Sequence, residues 1–334
     1  MPPENDQKTP AIAICMATYN PPLQLFRRQI ESIRNQTCAN WHCFISDDAS
    51  SPAAIQQVRE MIGADSRFTL SVSAARQGFF HNFERSLQMV TAEFSYVALA
   101  DQDDFWQPNK LQMLLEQFGA NTTLVYSDAR IVDAAGRVIS ESAFSQRESN
   151  CSDLPSLVLS NSVTGAAALF SAGILPRALP FPALTGRLAH DHWLSCVAMA
   201  SGQVKYFPLC LYDYVQHGGN AIGYDHAVKP SWLKLLYFGL RVAATRRGRQ
   251  AAEVIFRQDV SKITVLASEI LQRCSPRLSV EDRIGLQQLA NLAPTLRMLL
   301  WLVRRGLKTA RLTAGAEYHL AFGLWGQYLS KFKL

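Results

Sequence analysis

Phe94-Ser95-Tyr96-Val97-Ala98-Leu99-Ala100-Asp101-Gln102-Asp103-Asp104 decides how this chain is read. The run from Phe94 to Ala100 is a largely apolar strand that leads directly into an acidic cluster. A strand this uniformly apolar is buried on both faces, as in a parallel sheet covered by helices. In open α/β sheets, ligands bind beyond the carboxyl ends of the strands. Carboxylates two apart on an extended segment point the same way, so Asp101 and Asp103 can face one ion. Mg²⁺ or Mn²⁺ prefers such oxygen ligands and fills its shell with substrate phosphate oxygens. An isolated Asp-x-Asp reads better as a solvated turn that caps the next helix. The strand before it, and a second acidic pair at Asp47-Asp48, favour a metal–diphosphate site.

The same grammar repeats on both sides. Ala11 to Thr18 reads as a buried strand ending at Tyr19-Asn20-Pro21-Pro22, followed by a helix with Leu23, Phe26, Ile30 and Ile33 on one face. Trp41 to Ser46 is a strand ending at Asp47-Asp48. Ser51-Pro52 then opens a helix with an N-cap and a proline at its first position. Phe68 to Val72 is a third strand. Gly78 to Val90 is a helix with Phe79, Phe83, Leu87 and Val90 on one face. Pro108-Asn109 starts a helix through Phe118, Thr123 to Ser127 is a strand, and Asp133-Ala134-Ala135-Gly136 is a hairpin turn. The alternation predicts an α/β fold: a mostly parallel central sheet with helices on both faces.

In order along the chain stand Ala17-Thr18-Tyr19-Asn20, Ser46-Asp47-Asp48-Ala49-Ser50, Gly78-x-x-x-Asn82, and Asp101-Gln102-Asp103-Asp104 with Trp106 and Pro108-Asn109-Lys110. His190-Asp191-His192-Trp193 closes the series. Over about residues 10–225 it resembles the GT-A fold glycosyltransferase family 2, especially a bacterial rhamnosyltransferase-like branch. The resemblance implies a nucleotide-sugar donor (a dTDP- or UDP-sugar), a divalent metal, and transfer of a sugar to a glycan or lipid-linked acceptor. It implies Thr18, Tyr19 and Asn20 around base and ribose, Asp48 on the nucleobase, Asp101 near ribose and diphosphate, Asp103 on the metal, and Asp191 as catalytic base. Asp191 alone would read as a helix N-terminal acid. His217, before Gly218-Gly219-Asn220, resembles a metal or diphosphate contact, with a turn histidine the equal alternative. Arg76 reaches the diphosphate or is a surface arginine, and Asn82 lies on the donor side. Trp106, Gly165, His190 and His192 fall on the acceptor side, where the two histidines read equally as structural. A Gln-x-x-Arg-Trp motif of processive members is missing, which favours single-sugar transfer. Two rivals stand: a sugar-phosphate nucleotidyltransferase, whose Gly- and Lys-bearing first loop is absent, and a non-catalytic sugar-nucleotide-binding protein.

Composition frames this. Hydrophobic residues make up 48% and charged residues 18% of the 334, which excludes a disordered chain. The polar first ten residues show no signal peptide, and seven scattered cysteines suggest a reduced compartment, so a cytoplasmic protein is expected. Residues 229–334 hold 18 Lys and Arg against 6 Asp and Glu, whereas the net charge of the whole chain is only +6. The expected organisation is a glycosyltransferase domain over 10–228, with a nucleotide half to about 135 and an acceptor half after it. A basic helical region over 229–334 follows. Basic clusters at Arg246-Arg247-Gly248-Arg249 and Arg304-Arg305-Gly306-Leu307-Lys308 flank apolar segments at 235–240 and 298–303. They suggest peripheral contact with the anionic inner face of the cell membrane, or a helical cap on the sheet. No recognition motif accompanies the charge, so nucleic acid is not an expected partner.

Overall fold

A computed structural model of the chain describes residues 11–145, 148–183, 189–218, 245–313 and 315–330. They form two compact units. The first holds the residues up to 143, 164–180 and those from 204 through the last strand. The second holds 144–163, 181–203 and the C-terminal helices.

The first unit is built on a nine-stranded sheet. Its strands are β1 (Ile12–Thr18), β2 (Trp41–Asp47), β3 (Phe68–Val72), β4 (Tyr96–Ala100), β5 (Phe105–Trp106), β6 (Thr122–Asp133), β7 (Val138–Ser140), β8 (Ala168–Ser171) and β9 (Gln203–Gln216). The order is β3-β2-β1-β4-β8-β6-β9-β5, with β7 paired to β6. The run β3-β2-β1-β4 is parallel throughout. Ile12 to Met16 of β1 have no exposed surface, as a central strand covered on both faces requires. Beyond β4 the sheet continues through antiparallel partners, β4 with β8 and β8 with β6. The strand expected over 123–127 is thus longer and runs as the antiparallel β6. Its end at Asp133 makes the expected hairpin: Gly136 takes φ +83°, and the Asp133 carboxylate accepts backbone N–H bonds from Ala135 and Arg137.

Helices α1 (Leu23–Arg34), α2 (Pro52–Ile62), α3 (Phe79–Gln88) and α4 (Lys110–Leu115) cover the parallel half. Ser51 caps α2 by accepting from the Ala54 N–H. Helix α3 buries Asn82, Phe83, Ser86 and Leu87, while Phe79, expected on the buried face, is exposed at its first turn. All seven cysteines are free thiols.

The second unit is helical. It contains α5 (Leu154–Leu159), α7 (His190–Ser201), α8 (Arg246–Cys274), α9 (Val280–Ala290), α10 (Leu296–Thr313) and α11 (Ala316–Ser330); the short α6 (Leu175–Ala178) belongs to the first unit. Helix α8 buries Ile263, Leu266, Ala267, Ile270 and Cys274, a helical stripe packed on α7, α9 and α11. Glu317 is fully buried and accepts from the Thr309 and Thr313 hydroxyls, tying α11 to α10. Arg305 turns inward to Asp153 and to Ser156, the latter at 2.6 Å. No described helix is long and apolar enough to cross a membrane. The apolar segment at 235–240 and the side chains of Arg246, Arg247 and Arg249 lie outside the described residues.

Helices α9 and α5 touch closely: a Cβ built on Gly285 would stand 2.5 Å from Pro155 Cγ. Alanine normally stabilises a helix by about 1 kcal/mol over glycine. Overpacking against a rigid ring costs about 1–3 kcal/mol. Gly285→Ala is therefore expected to lower the urea midpoint of unfolding. A raised midpoint would contradict the close approach.

Candidate donor and metal site

Parallel pairing places three polar loops at one edge of the first unit. Thr18 pairs with Asp47 in register, and Met16 with Ala100. The loops after β1, β2 and β4 therefore leave the sheet together, as ligand-binding loops of open α/β sheets do.

Asp47 and Asp48 have different work. Asp47 is buried and accepts from Thr18 Oγ1 at 3.0 Å, Ser50 N at 2.8 Å and Ser50 Oγ at 2.6 Å. It locks the ends of β1 and β2 to each other. The backbone around it is unusual, with Asn20 at φ 39° and Ala49 at φ 60°. Asn20 fits this conformation better than most residues, and its backbone N–H and side chain are both bound, to Ser50 Oγ and to Ser51 N. Asp48 is only 2% exposed. Its two oxygens accept from the N–H groups of Gln77 and Gly78 at 2.7 and 2.8 Å, fixing the loop after β3. Gly78 takes φ +88°, a region that favours glycine. A carboxylate offers about four acceptor positions, so two remain on Asp48. Asn82 donates from Nδ2 to the Thr18 carbonyl at 3.1 Å, and its Oδ1 is buried with no partner among the described residues.

At the outer rim, Tyr19 N donates to Gln102 Oε1 at 2.9 Å, joining the first loop to the acidic cluster. The Arg76 guanidinium lies 3.9 Å from the Tyr19 ring centroid, a cation–π contact on an exposed residue.

The acidic cluster is assembled by the antiparallel pairing of β5 and β9, in which Phe105 faces Asp213. Continuing that register carries His217 back towards the end of β4. His217 Nε2 lies 2.9 Å from Asp103 Oδ2, and Val215 N donates to Asp104 Oδ1 at 3.2 Å. Burial raises the Asp103 carboxyl above its ordinary value, with His217 pulling it back. Asp104 is buried deeper. Desolvation, then the charges of Asp101 and Asp103, push its carboxyl well above the carboxylate range, and its Oδ2 has no partner among the described residues. Asp101 stands half-buried at the strand end.

Sequence reading gave Lys110 no role, yet its fully buried ammonium is central. It sits 3.4 Å from the Trp106 ring centroid and donates to the Ala166 carbonyl. Burial pulls its pKa well below the ordinary lysine value, against the raising pull of Asp104 and Asp101. Only its place at the start of a helix after Pro108-Asn109 hinted at this. Trp106, expected on the acceptor side, has no exposed surface here and lies against the Lys110 ammonium. Gly165, also expected there, is buried in a one-turn helix of residues 165–167.

Among the described residues no three His, Cys, Asp or Glu side chains converge as a metal cage. The Asp103–His217 pair still fits a divalent ion. Adjacent ligands of an octahedral ion with bonds of 2.0–2.1 Å stand about 2.9 Å apart, which is the separation found. Diphosphate oxygens and water would complete such a shell.

In the second unit, Asp191 lies in the first turn of α7. Its Oδ1 accepts from Asn161 Nδ2 at 3.1 Å, and Asn161 also holds both backbone groups of Val163. The flanking histidines are interior. His192 Nε2 bonds the Leu157 carbonyl at 2.7 Å. Burial drives both His190 and His192 down to about 3. Of the two readings open for them, the structural one describes these neutral, buried rings. Gly219 and Asn220, the far end of the His217 loop, lie outside the described residues.

An α/β unit with an acidic strand-end cluster is thus in place, and comparison bears on its class. Residues 13–152 match the model described as Glycosyl transferase family 2. The chain is 30% identical over 118 residues to the putative glycosyltransferase EpsH of Bacillus subtilis, covering 35% of this chain and 33% of that protein. It is 29% identical over 123 residues to the UDP-Glc:alpha-D-GlcNAc-diphosphoundecaprenol beta-1,3-glucosyltransferase WfgD of Escherichia coli, covering 36% and 47%. The chain spans less than half the length of these relatives. S. aureus TarS 1-349, solved in complex with UDP-GlcNAc, superposes with a TM-score of 0.54 at 15% identity, covering 95% of this chain and 92% of that one. That likeness establishes the fold, a GT-A-like α/β architecture with C-terminal helices.

The two histidines give a pH prediction. Above pH 6.5 neither state carries the protons. Between 6.5 and 3 the unfolded chain binds protons that the folded chain refuses, so stability falls as pH falls. The slope is about 1.4 kcal/mol per pH unit for each histidine. His192→Gln, which keeps a donor for Leu157, should flatten the loss of the urea midpoint between pH 6.5 and 4.5. An unchanged slope would contradict burial of a neutral His192.

Proposed function

We propose that this chain is an inverting glycosyltransferase that moves a single sugar from a nucleotide-sugar donor to a hydroxyl of a glycan or lipid-linked acceptor in surface-polysaccharide synthesis. The observation that carries the reading is the Asp103–His217 pair, 2.9 Å apart at the end of β4, in the unit whose other strand-end loops are held by Asp47 and Asp48. The family 2 match and the relatives' printed activities support it.

The donor's base and ribose bind against Thr18, Tyr19 and Asn20, and the free acceptor positions of Asp48 take the nucleobase N–H. Arg76 and Asn82 line the donor side, and Asp101 lies near the ribose and diphosphate. Asp103 and His217 would hold Mg²⁺ or Mn²⁺, whose charge would stabilise the leaving diphosphate. Asp191 takes the proton of the acceptor hydroxyl, with its carboxylate oriented by Asn161. dTDP-rhamnose is the first donor to test, with UDP-sugars beside it. A cytoplasmic, membrane-peripheral location suits a lipid-linked acceptor.

Asp103→Asn and Asp191→Asn separate the roles. Each should lower nucleoside diphosphate release in the presence of acceptor by about 100-fold or more, the scale of a lost general base or charge-stabilising group. Asp103→Asn should also lose the Mn²⁺-dependent thermal shift given by nucleoside diphosphate, whereas Asp191→Asn should keep it. Full turnover in both variants would remove the assignment.

A further inference from the structure

Helix α10 carries an unusual outer face. Its exposed apolar residues are Leu296 (55%), Leu300 (48%), Val303 (41%) and Leu307 (75%). At about 100° per residue these four fall within about 60° of the helix circumference. Arg297, Arg304, Lys308 and Arg311 are all exposed and occupy the next arc of about 60° on one side. The opposite face holds Met298, Leu299, Leu302 and Thr309, buried within the second unit. Arg305 belongs to that inner side through Asp153 and Ser156. The apolar run at 298–303 is therefore not the surface feature as a block; the surface takes residues from it and from either side of it.

The helix contains no acidic residue. Glu148 pairs with Arg311 at 3.4 Å, while Arg297, Arg304 and Lys308 have no carboxylate partner among the described residues. A soluble surface gains nothing from a continuous apolar stripe beside unpaired cations. A helix lying in the plane of a bilayer needs that arrangement, with apolar side chains in the acyl boundary and cations at the headgroups.

We propose that this face of α10 is the docking surface for an anionic phospholipid bilayer, with Leu296, Leu300, Val303 and Leu307 inserted and Arg297, Arg304 and Lys308 on lipid phosphates. The proposal deepens the membrane-peripheral part of the functional reading and rests on it. A second copy of the chain fits the face less well, because pairing of α10 with itself offers its cations no carboxylate: the helix has none.

The test is co-sedimentation of the full chain with vesicles of pure phosphatidylcholine and of phosphatidylcholine with 30 mol% phosphatidylglycerol. The expected result is binding to the anionic vesicles that weakens as salt rises. Each juxtamembrane cation contributes about fivefold, so Arg297→Gln/Arg304→Gln/Lys308→Gln should weaken partitioning on the order of 100-fold. Leu300→Glu/Leu307→Glu should abolish it. Both changes are at exposed positions, and an unaltered melting temperature together with an unaltered nucleoside diphosphate shift reports that each variant is folded. Binding of either folded variant equal to wild type overturns the proposal, as does wild type that ignores anionic vesicles. So does a concentration-dependent oligomer that Leu300→Glu/Leu307→Glu dissolves while vesicle binding is absent. Vesicle binding without sugar transfer would sink the enzymatic reading and leave the docking surface standing. Transfer to a soluble acceptor without vesicle binding would do the reverse.

Discussion

The Asp47 carboxylate, buried between the ends of two parallel strands, is the contact on which the candidate donor site depends. Three groups donate to it, from Thr18 and Ser50. Each is buried, so each needs an acceptor there, and a lost acceptor would cost about 1–3 kcal/mol per unsatisfied group. The clamp sets where β1 ends and β2 turns. From there the left-handed backbone at Asn20 and Ala49 follows, and with it the position of Asp48. Asp48 then fixes the loop after β3 through two backbone N–H groups. Three loops, after β1, β2 and β3, are thus tied before any ligand arrives, so little ordering cost remains for binding.

The acidic cluster is held differently. Its carboxylates are crowded and partly desolvated, and the protein meets this with one buried cation, Lys110, and one imidazole, His217. Asp104 and Lys110 oppose each other's desolvation from the interior, with the Trp106 ring face under the ammonium. Asp103 remains at the rim, where a further positive charge would lower the energy of the whole group. An unsaturated acidic cluster of this kind is a physical reason for cation affinity.

Much of this was legible in the sequence. The apolar run to Ala100 followed by Asp101-Gln102-Asp103-Asp104 gave both the parallel strand and the site at its end, because strand periodicity and ligand placement follow local rules. The Ser51 cap and the Asp133–Gly136 hairpin were equally local. What escaped was set by distant pairing. The antiparallel β5–β9 register brings His217 to Asp103 across 114 positions in the chain. The resemblance offered His217 as a metal or diphosphate contact with a turn histidine the equal alternative, and no spacing rule reports the pairing itself. Lys110 and Trp106 stood in the motif after the acidic cluster with no sign of their burial, because a buried lysine is recognised only by what surrounds it. His190 and His192 read equally as acceptor-side or structural residues, and the burial of both rings in helix α7 is a tertiary fact that their spacing does not report. On α10 the sequence displayed a compact apolar block beside arginines. Only the inward turn of Arg305 and Leu302 separates the supporting face from the exposed one.

The account stands or falls on whether the unit built around Asp47, Asp48 and Asp103 turns over an activated sugar. Release of nucleoside diphosphate by the full chain, with Mn²⁺ and a panel of dTDP-, UDP- and GDP-sugars, measures this directly. The account predicts release from at least one donor, stopped by chelation of the metal and restored when Mn²⁺ is returned. A donor that binds tightly yet yields no diphosphate with any acceptor or with water, metal present or absent, would contradict it.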